Sequence, residues 1–124
     1  MIVEDEPAVR EGLEVVLAGW GAATRAFESV AATRAWIASC PADSPAPALV
    51  ISDYRLEAGE TGVAAIQALR SRFGSTLPAI VATGSSMTGH DQEAQAHDFH
   101  VLIKPVLPNK LRAMIAFKLA TRPV

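Results

Sequence analysis

The stretch Leu49-Val50-Ile51-Ser52-Asp53 decides the fold of this chain. It begins with three apolar residues, two of them β-branched, and ends with a small hydroxyl residue and a carboxylate. A short and wholly apolar run is typical of a strand that is covered on both faces in a parallel sheet. Asp53 then stands at the carboxyl end of that strand, which is the edge where ligand sites lie in open α/β sheets.

Similar runs recur on both sides of this stretch, and each one precedes a segment with a helical pattern. The other strands are predicted at 2–3, 24–27, 79–82 and 101–103. The helices are predicted to open at Pro7, Ser29, Thr61 and Pro108, with Ser29 and Thr61 as the capping residues of the second and third helices. A weak and mobile helix is predicted over 87–99. The apolar positions predicted to face inward are Val9, Leu13, Val16 and Leu17, then Val30, Trp36 and Ile37, then Val63, Ile66, Leu69 and Phe73, then Leu111, Met114, Ile115 and Leu119.

A strand followed by a helix, five times over, predicts an α/β fold. Short connections in such an order require right-handed crossovers, which place helices on both faces of a parallel sheet. The chain has 124 residues, half of them apolar, so one domain over residues 1–124 can bury a sizeable core without a metal or a disulfide. The single Cys40 excludes an internal disulfide.

Charge and hydropathy exclude several classes of partner. The 11 basic and 13 acidic residues nearly cancel and no basic run occurs, which argues against nucleic acid or a membrane surface as a partner. The longest uncharged stretch, 73–90, is interrupted by Pro78 and by several small polar residues, so it does not span a bilayer. A cytoplasmic location is therefore predicted.

The chemistry collects at the carboxyl ends of four predicted strands. Each residue alone would be an ordinary cap or a solvated side chain, but together they bring three carboxylates, a hydroxyl and an ammonium to one edge of the sheet: Glu4, Asp5, Asp53, Thr83 and Lys104. Two carboxylates about 4 Å apart repel by roughly 4 kcal/mol at an effective dielectric constant near 20. Such a cluster needs a cation, and hard oxygen donors suit Mg²⁺. Asp53 is then a candidate nucleophile that forms an aspartyl phosphate.

Four motifs in order resemble the receiver domain of two-component response regulators, and the resemblance covers essentially the whole chain. They are Ile2-Val3-Glu4-Asp5-Glu6-Pro7, Ile51-Ser52-Asp53-Tyr54-Arg55-Leu56, Val81-Ala82-Thr83-Gly84 and Ile103-Lys104-Pro105-Val106. The resemblance implies a (βα)5 three-layer sandwich with the flavodoxin-like strand order 2-1-3-4-5.

The resemblance also implies a role for each site residue. Asp53 would accept a phosphoryl group from a phosphohistidine, and Thr83 and Lys104 would contact that group. Glu4 and Asp5 would form an acidic pocket, in which Asp5, Asp53 and the main-chain carbonyl of Arg55 bind Mg²⁺. The Lys104-Pro105 peptide would be cis. Such a domain is not an enzyme in its own right, although it assists its own phosphorylation and dephosphorylation, and it signals through a conformational change.

The implied partner is a histidine kinase or a histidine phosphotransfer domain, with a weak homodimer left open. One position departs from the family pattern, because Val101 stands where receivers commonly carry a switch aromatic. The run from Lys104 to Pro108, with Asp53-Tyr54-Arg55-Leu56, is similar to receivers at the C-terminal ends of hybrid sensor histidine kinases. The short first strand suggests excision from such a longer signalling protein.

Two alternatives stay open at this point. The first is a pseudo-receiver, an interaction module with the same shape that is never phosphorylated. The second is a phosphohydrolase of the haloacid-dehalogenase type, which also uses a nucleophilic Asp at a strand end. That class needs a second Asp two residues further on, where this chain has Arg55.

Overall fold

A computed structural model describes residues 1–56, 59–84 and 90–120. In this part of the chain, five parallel strands form one sheet in the order β2-β1-β3-β4-β5. The strands are β1 (Ile2–Val3), β2 (Ala26–Phe27), β3 (Val50–Asp53), β4 (Ala79–Thr83) and β5 (His100–Ile103). The helices are α1 (Pro7–Gly19), α2 (Val30–Ser39), α3 (Gly62–Phe73), α4 (His90–His97) and α5 (Pro108–Ala120). The predicted three-layer (βα)5 sandwich with order 2-1-3-4-5 is confirmed.

Two apolar clusters cover the two faces of the sheet. Val30 of α2 and Ile66 of α3 pack with Val81 of β4 in one cluster, whereas Leu17 of α1 and Leu111 of α5 pack with Ile80 in the other. Neighbouring residues of β4 thus face opposite layers, as the alternation of a strand requires. This burial on both faces explains why β3 and β4 are almost wholly apolar until their carboxyl ends.

The helix starts follow local chemistry to different degrees. The Ser29 hydroxyl accepts a hydrogen bond from the Ala32 amide at 3.0 Å, so the predicted cap of α2 is confirmed. Thr61 occupies the N-cap position of α3, but its side chain makes no capping hydrogen bond there, so that part of the prediction is wrong. Pro7 is the first residue of α1, where no amide donor is needed.

Some predicted boundaries and faces differ from the structure. Strand β2 has only two residues rather than four, and α4 begins at His90, with positions 87–89 outside the described residues. Val9 and Leu119 were expected to face inward, yet they are 37% and 41% exposed. Val9 lies in the first turn of α1 and Leu119 in the last turn of α5. None of the helices in the described ranges has the length and apolar character that a membrane crossing would require.

Strand β5 alternates as the sequence predicts. Val101 packs against the cluster on the α3 side, whereas the ring of His100 contacts Phe117 of α5 edge-on, with 5.4 Å between the ring centroids. The two side chains therefore lie on opposite faces, and His100 does not substitute for an aromatic residue at position 101.

Candidate functional site

The predicted site residues meet at the carboxyl edge of the sheet. The strand ends carry them there: Glu4 and Asp5 follow β1, Asp53 ends β3, and Thr83 ends β4. In the register of the sheet, Asp53 lies beside Ala82 of β4, and Thr83 lies beside Ile103, the residue before Lys104. Parallel pairing thus fixes the relative heights of residues that are far apart in the sequence.

The charge of Lys104 links the ends of β1 and β3. Its Nζ lies 3.0 Å from Oδ1 of Asp53 and 3.5 Å from Oε1 of Glu4. The Lys104 amide also donates to the Thr83 carbonyl at 2.8 Å, which holds the β5–α5 connection against the end of β4. The Lys104–Pro105 peptide is cis, as predicted.

The site is unevenly buried. The Glu4 side chain is only 3% exposed, that of Asp53 is 11% exposed and that of Lys104 is 31% exposed. Burial and the adjacent charge of Asp53 raise the pKa of Glu4 to about 7. Burial alone would lower the pKa of Lys104, but its hydrogen bond and ion pairing with Asp53, together with the charge of Glu4, raise it overall.

Three carboxylates meet the first requirement for a divalent cation. Glu4, Asp5 and Asp53 each offer one oxygen, and these oxygens all lie within 4.8 Å of one another. Two oxygens bound to one Mg²⁺ at about 2.1 Å lie at most about 4.2 Å apart, so small side-chain movements suffice to close the site around the ion. The donor set therefore fits Mg²⁺.

Thr83, Gly84 and Arg55 complete the carboxyl edge of the sheet and leave space beside the acidic cluster. Thr83 is 3% exposed at the end of β4, and no heavy atom of the described residues lies within 4 Å of the point where a Cβ on Gly84 would be. Arg55 is exposed and forms an isolated bridge with Thr61, so the loop that would present its carbonyl is closed by backbone pairing. The metal-binding role of that carbonyl stays a prediction.

A half-open cavity of about 650 Å³ adjoins the site. Apolar side chains from α1, β5 and α5 line most of it, including Leu13, Leu102 and Leu111. Asp53 and Lys104 line its polar end. The carboxylate at the end of β3 can therefore be approached from the side of α1.

Sequence reasoning missed three residues that support the site. Arg10 of α1 donates to the Glu4 carbonyl at 2.9 Å and thereby steadies the β1–α1 loop. A Cβ on Gly62 would lie 2.3 Å from the Asp53 carbonyl oxygen, so only glycine fits there. The Tyr54 hydroxyl donates to Oε1 of Glu93 at 2.7 Å. The glycine was visible as part of a glycine-bearing loop, but none of these contacts has a pattern in the sequence.

Comparison with known proteins identifies the family that has this doubly wound sheet with an acidic cluster and a lysine at its carboxyl edge. The family model of the response regulator receiver domain matches residues 1–116. The chain belongs to this family. Its membership removes the haloacid-dehalogenase alternative.

Individual relatives are similar to this chain over different lengths. The chain is 33% identical over 122 residues to the response regulator protein PilR of Pseudomonas aeruginosa, which aligns with 98% of the chain. The chain spans only about a quarter, 26%, of the length of PilR.

Two solved structures show the same fold. The receiver domain of NtrX from Brucella abortus is 22% identical with a TM-score of 0.79, and the match covers 97% of each chain. The signal receiver domain of a signal transduction histidine kinase from Syntrophus aciditrophicus is 23% identical with a TM-score of 0.75, over 96% of this chain and 87% of that one.

Proposed function

We propose that this domain accepts a phosphoryl group on Asp53 from a histidine kinase or a histidine phosphotransfer domain, with Mg²⁺ as cofactor, and signals through the resulting conformational change. The observation that carries the proposal is the ion pair of Lys104 with Asp53 inside a cluster of three carboxylates. Receiver domain membership and the TM-scores of the solved relatives supply the context.

Asp53 has the surroundings that a nucleophilic carboxylate needs. In the transfer step, one Asp53 carboxylate oxygen forms a bond to phosphorus while the bond between phosphorus and the donor imidazole nitrogen breaks. Negative charge shifts onto the phosphoryl oxygens and the donor imidazole leaves. The ammonium of Lys104, already 3.0 Å from Asp53, stabilises the charge on the incoming group.

The cation completes the charge balance of the pocket. When bound, Mg²⁺ would supply positive charge that offsets the carboxylates and the charge on the incoming phosphoryl oxygens. Asp5 and Asp53 would bind it with the main-chain carbonyl of Arg55, and Glu4 would complete the acidic pocket. The Thr83 hydroxyl, at the end of the neighbouring strand, would donate to a phosphoryl oxygen.

The proposal includes the partner of the domain and the longer protein that contains it. The phosphoryl donor carries a phosphohistidine, and the domain works as an acceptor rather than as an independent enzyme. PilR is a response regulator, while the motif similarity favours a hybrid sensor kinase, so the domain belongs to one of these two kinds of signalling protein. A weak homodimer and a cytoplasmic location also remain predictions.

Intact mass spectrometry after incubation with acetyl phosphate and Mg²⁺ tests the proposal. We expect one phosphoryl adduct that is stable in acid and released by hydroxylamine, as an acyl phosphate requires. Asp53→Asn should abolish the adduct, whereas the control Asp43→Asn, an exposed loop carboxylate, should leave it unchanged.

Two results would contradict the proposal. Absence of any adduct on the wild-type domain, with acetyl phosphate and with a phosphohistidine donor, would establish the pseudo-receiver alternative. An adduct that persists in Asp53→Asn would place the acceptor at another residue.

A further inference from the structure

Helix α4 is attached to the domain mainly by polar contacts. Its eight residues, His90–His97, include only two alanines as apolar residues. Ala94 packs against the cluster on the α3 side, whereas Ala96 is exposed. A helix with so little apolar burial depends on individual hydrogen bonds for its position.

One group of these hydrogen bonds holds the C-terminal end of α4 to α3. The Arg70 guanidinium donates to the carbonyls of His97 and Asp98, the latter at 2.7 Å. Gln67 lies 3.3 Å from Nδ1 of His97. These contacts fix one end of the helix against a neighbouring helix, far along the chain from Asp53.

A different contact links α4 to the acidic site. The Tyr54 hydroxyl donates to Oε1 of Glu93 at 2.7 Å, and this hydrogen bond is the main reason why the pKa of Tyr54 is raised. Tyr54 directly follows Asp53 in the chain. Its backbone is fixed on both sides, because its amide donates to the Ala82 carbonyl and its carbonyl accepts from the Gly62 amide, both at 2.8 Å.

The backbone contact to Ala82 joins this tyrosine to both parts of the site. Ala82 is the residue before Thr83 in β4 and is paired with Asp53 in the sheet. A displacement of Thr83 toward a phosphoryl group would shift the adjoining Ala82 carbonyl and, through its hydrogen bond, the backbone of Tyr54. The rigid aromatic ring would carry this displacement outward to Glu93 of α4, to which its hydroxyl is hydrogen-bonded.

We propose that Tyr54 is a positioning residue that couples the state of Asp53 to the position of α4 through its hydrogen bond to Glu93. This role rests on the proposed phosphoacceptor function. It answers the question raised by Val101, which packs in the core where an aromatic switch was expected and has no polar group to exchange partners. In this chain the aromatic side chain that reaches from the site to the surface comes from the end of β3.

Hydrogen exchange of the α4 amides, followed by mass spectrometry with and without acetyl phosphate and Mg²⁺, tests the coupling. In the wild-type domain, phosphorylation should change the exchange rate of α4. In Tyr54→Phe, which removes only the hydroxyl, Asp53 should still take up the phosphoryl group while the response of α4 is lost. The unphosphorylated variant should exchange about fivefold faster in α4, the effect of losing one hydrogen bond.

Matched variants separate coupling from simple loss of an anchor. Glu93→Gln retains an acceptor oxygen and should preserve most of the response, whereas Glu93→Leu should reproduce Tyr54→Phe. Gln67→Ala removes a tether at the other end of α4, so it should speed exchange there yet leave the response to phosphorylation intact.

Because Tyr54 is the only tyrosine, a ¹³C label on the tyrosine ring gives one NMR signal that reports this contact directly.

The outcomes distinguish this inference from the function on which it rests. If Tyr54→Phe responds to phosphorylation as the wild type does, or if wild-type α4 does not respond, the coupling is overturned while the phosphoacceptor function stands. If no adduct forms on wild-type protein, the function fails first. In that case, if the α4 amides of Tyr54→Phe exchange at the same rate as those of the wild type, the hydrogen bond to Glu93 does not hold α4 in place.

Discussion

Lys104 balances charges that would otherwise repel each other within the acidic cluster. Its ammonium contacts Asp53 and Glu4, so the cluster is partly neutralised before any metal binds. The elevated pKa of Glu4, about 7, shows that this compensation is incomplete, because burial and Asp53 together outweigh the lysine. A divalent cation should therefore stabilise the folded protein.

Magnesium should raise the melting temperature through Asp5. We expect the rise at millimolar Mg²⁺, measured by calorimetry about one pH unit above the pKa of Glu4, where that carboxylate is ionised. Asp5→Asn should remove most of the rise, since it takes away one ligand charge. Asp43→Asn, which lies in an exposed loop, should keep it, and a sodium chloride control separates ion binding from screening. A full response in Asp5→Asn would place the ion elsewhere.

Helices α1 and α3 each contain a glycine, but the space around the two glycines differs. Gly12 is in the interior of α1, and a methyl group added there would have no heavy atom within 4 Å among residues 1–56, 59–84 and 90–120. Gly62 begins α3, and a methyl group there would lie 2.3 Å from the Asp53 carbonyl oxygen and 2.6 Å from the Ser52 hydroxyl. The first glycine only weakens its helix, whereas the second lets α3 approach the end of β3.

The same substitution should therefore have opposite effects at the two positions. Gly12→Ala should stabilise the domain by about 1 kcal/mol and raise the melting temperature by about 4 °C, because alanine loses less backbone entropy in a helix. Gly62→Ala should destabilise it by more than about 1 kcal/mol and weaken the Mg²⁺ response, since the Asp53 backbone must shift. Urea unfolding measures both changes. Equal effects at the two sites would show that the approach of α3 to β3 does not constrain Asp53.

The stability of the whole domain depends on pH through His100. Its Nδ1 is buried and lacks a hydrogen-bond partner within the described part of the chain. Burial, followed by the charge of Lys118, lowers the pKa of His100, while Asp98 opposes this effect. The folded domain therefore takes up a proton at His100 less readily than the unfolded chain, whose histidine has a pKa near 6.5.

This difference predicts a loss of stability as the pH falls through the unfolded value of His100. Below that pH the unfolded state gains a proton that the folded state resists, so the free energy of unfolding decreases. Glu4 has the opposite sign over part of the same range, because its raised pKa favours the folded state when it is protonated. Comparison of the wild type with His100→Phe isolates the contribution of the histidine to the pH dependence. In urea titrations, the free energy of unfolding of the variant minus that of the wild type should increase as the pH falls from above 6.5 to below it. A difference that does not change with pH would contradict the assignment.

The order of elements and most of the site follow from local sequence. The apolar runs that end in Ser52-Asp53 and in Thr83 predict buried strands with polar ends, because a strand covered on both faces tolerates polar groups only where it emerges. Such patterns need no knowledge of distant residues, since they depend on the solvation of each side chain along its own segment. The sequence by itself thus determined the α/β class, the edge of the sheet that carries the chemistry, and the cluster around Asp53.

Only the tertiary structure decided how these groups act on each other. The contact of Lys104 with Glu4, the close approach of Gly62 to Asp53 and the hydrogen bond of Tyr54 to Glu93 all join separate segments. The pKa of Glu4 also depends on burial that several elements create together. Distances and dielectric surroundings of this kind arise when the helices pack onto the sheet, so no local pattern encodes them.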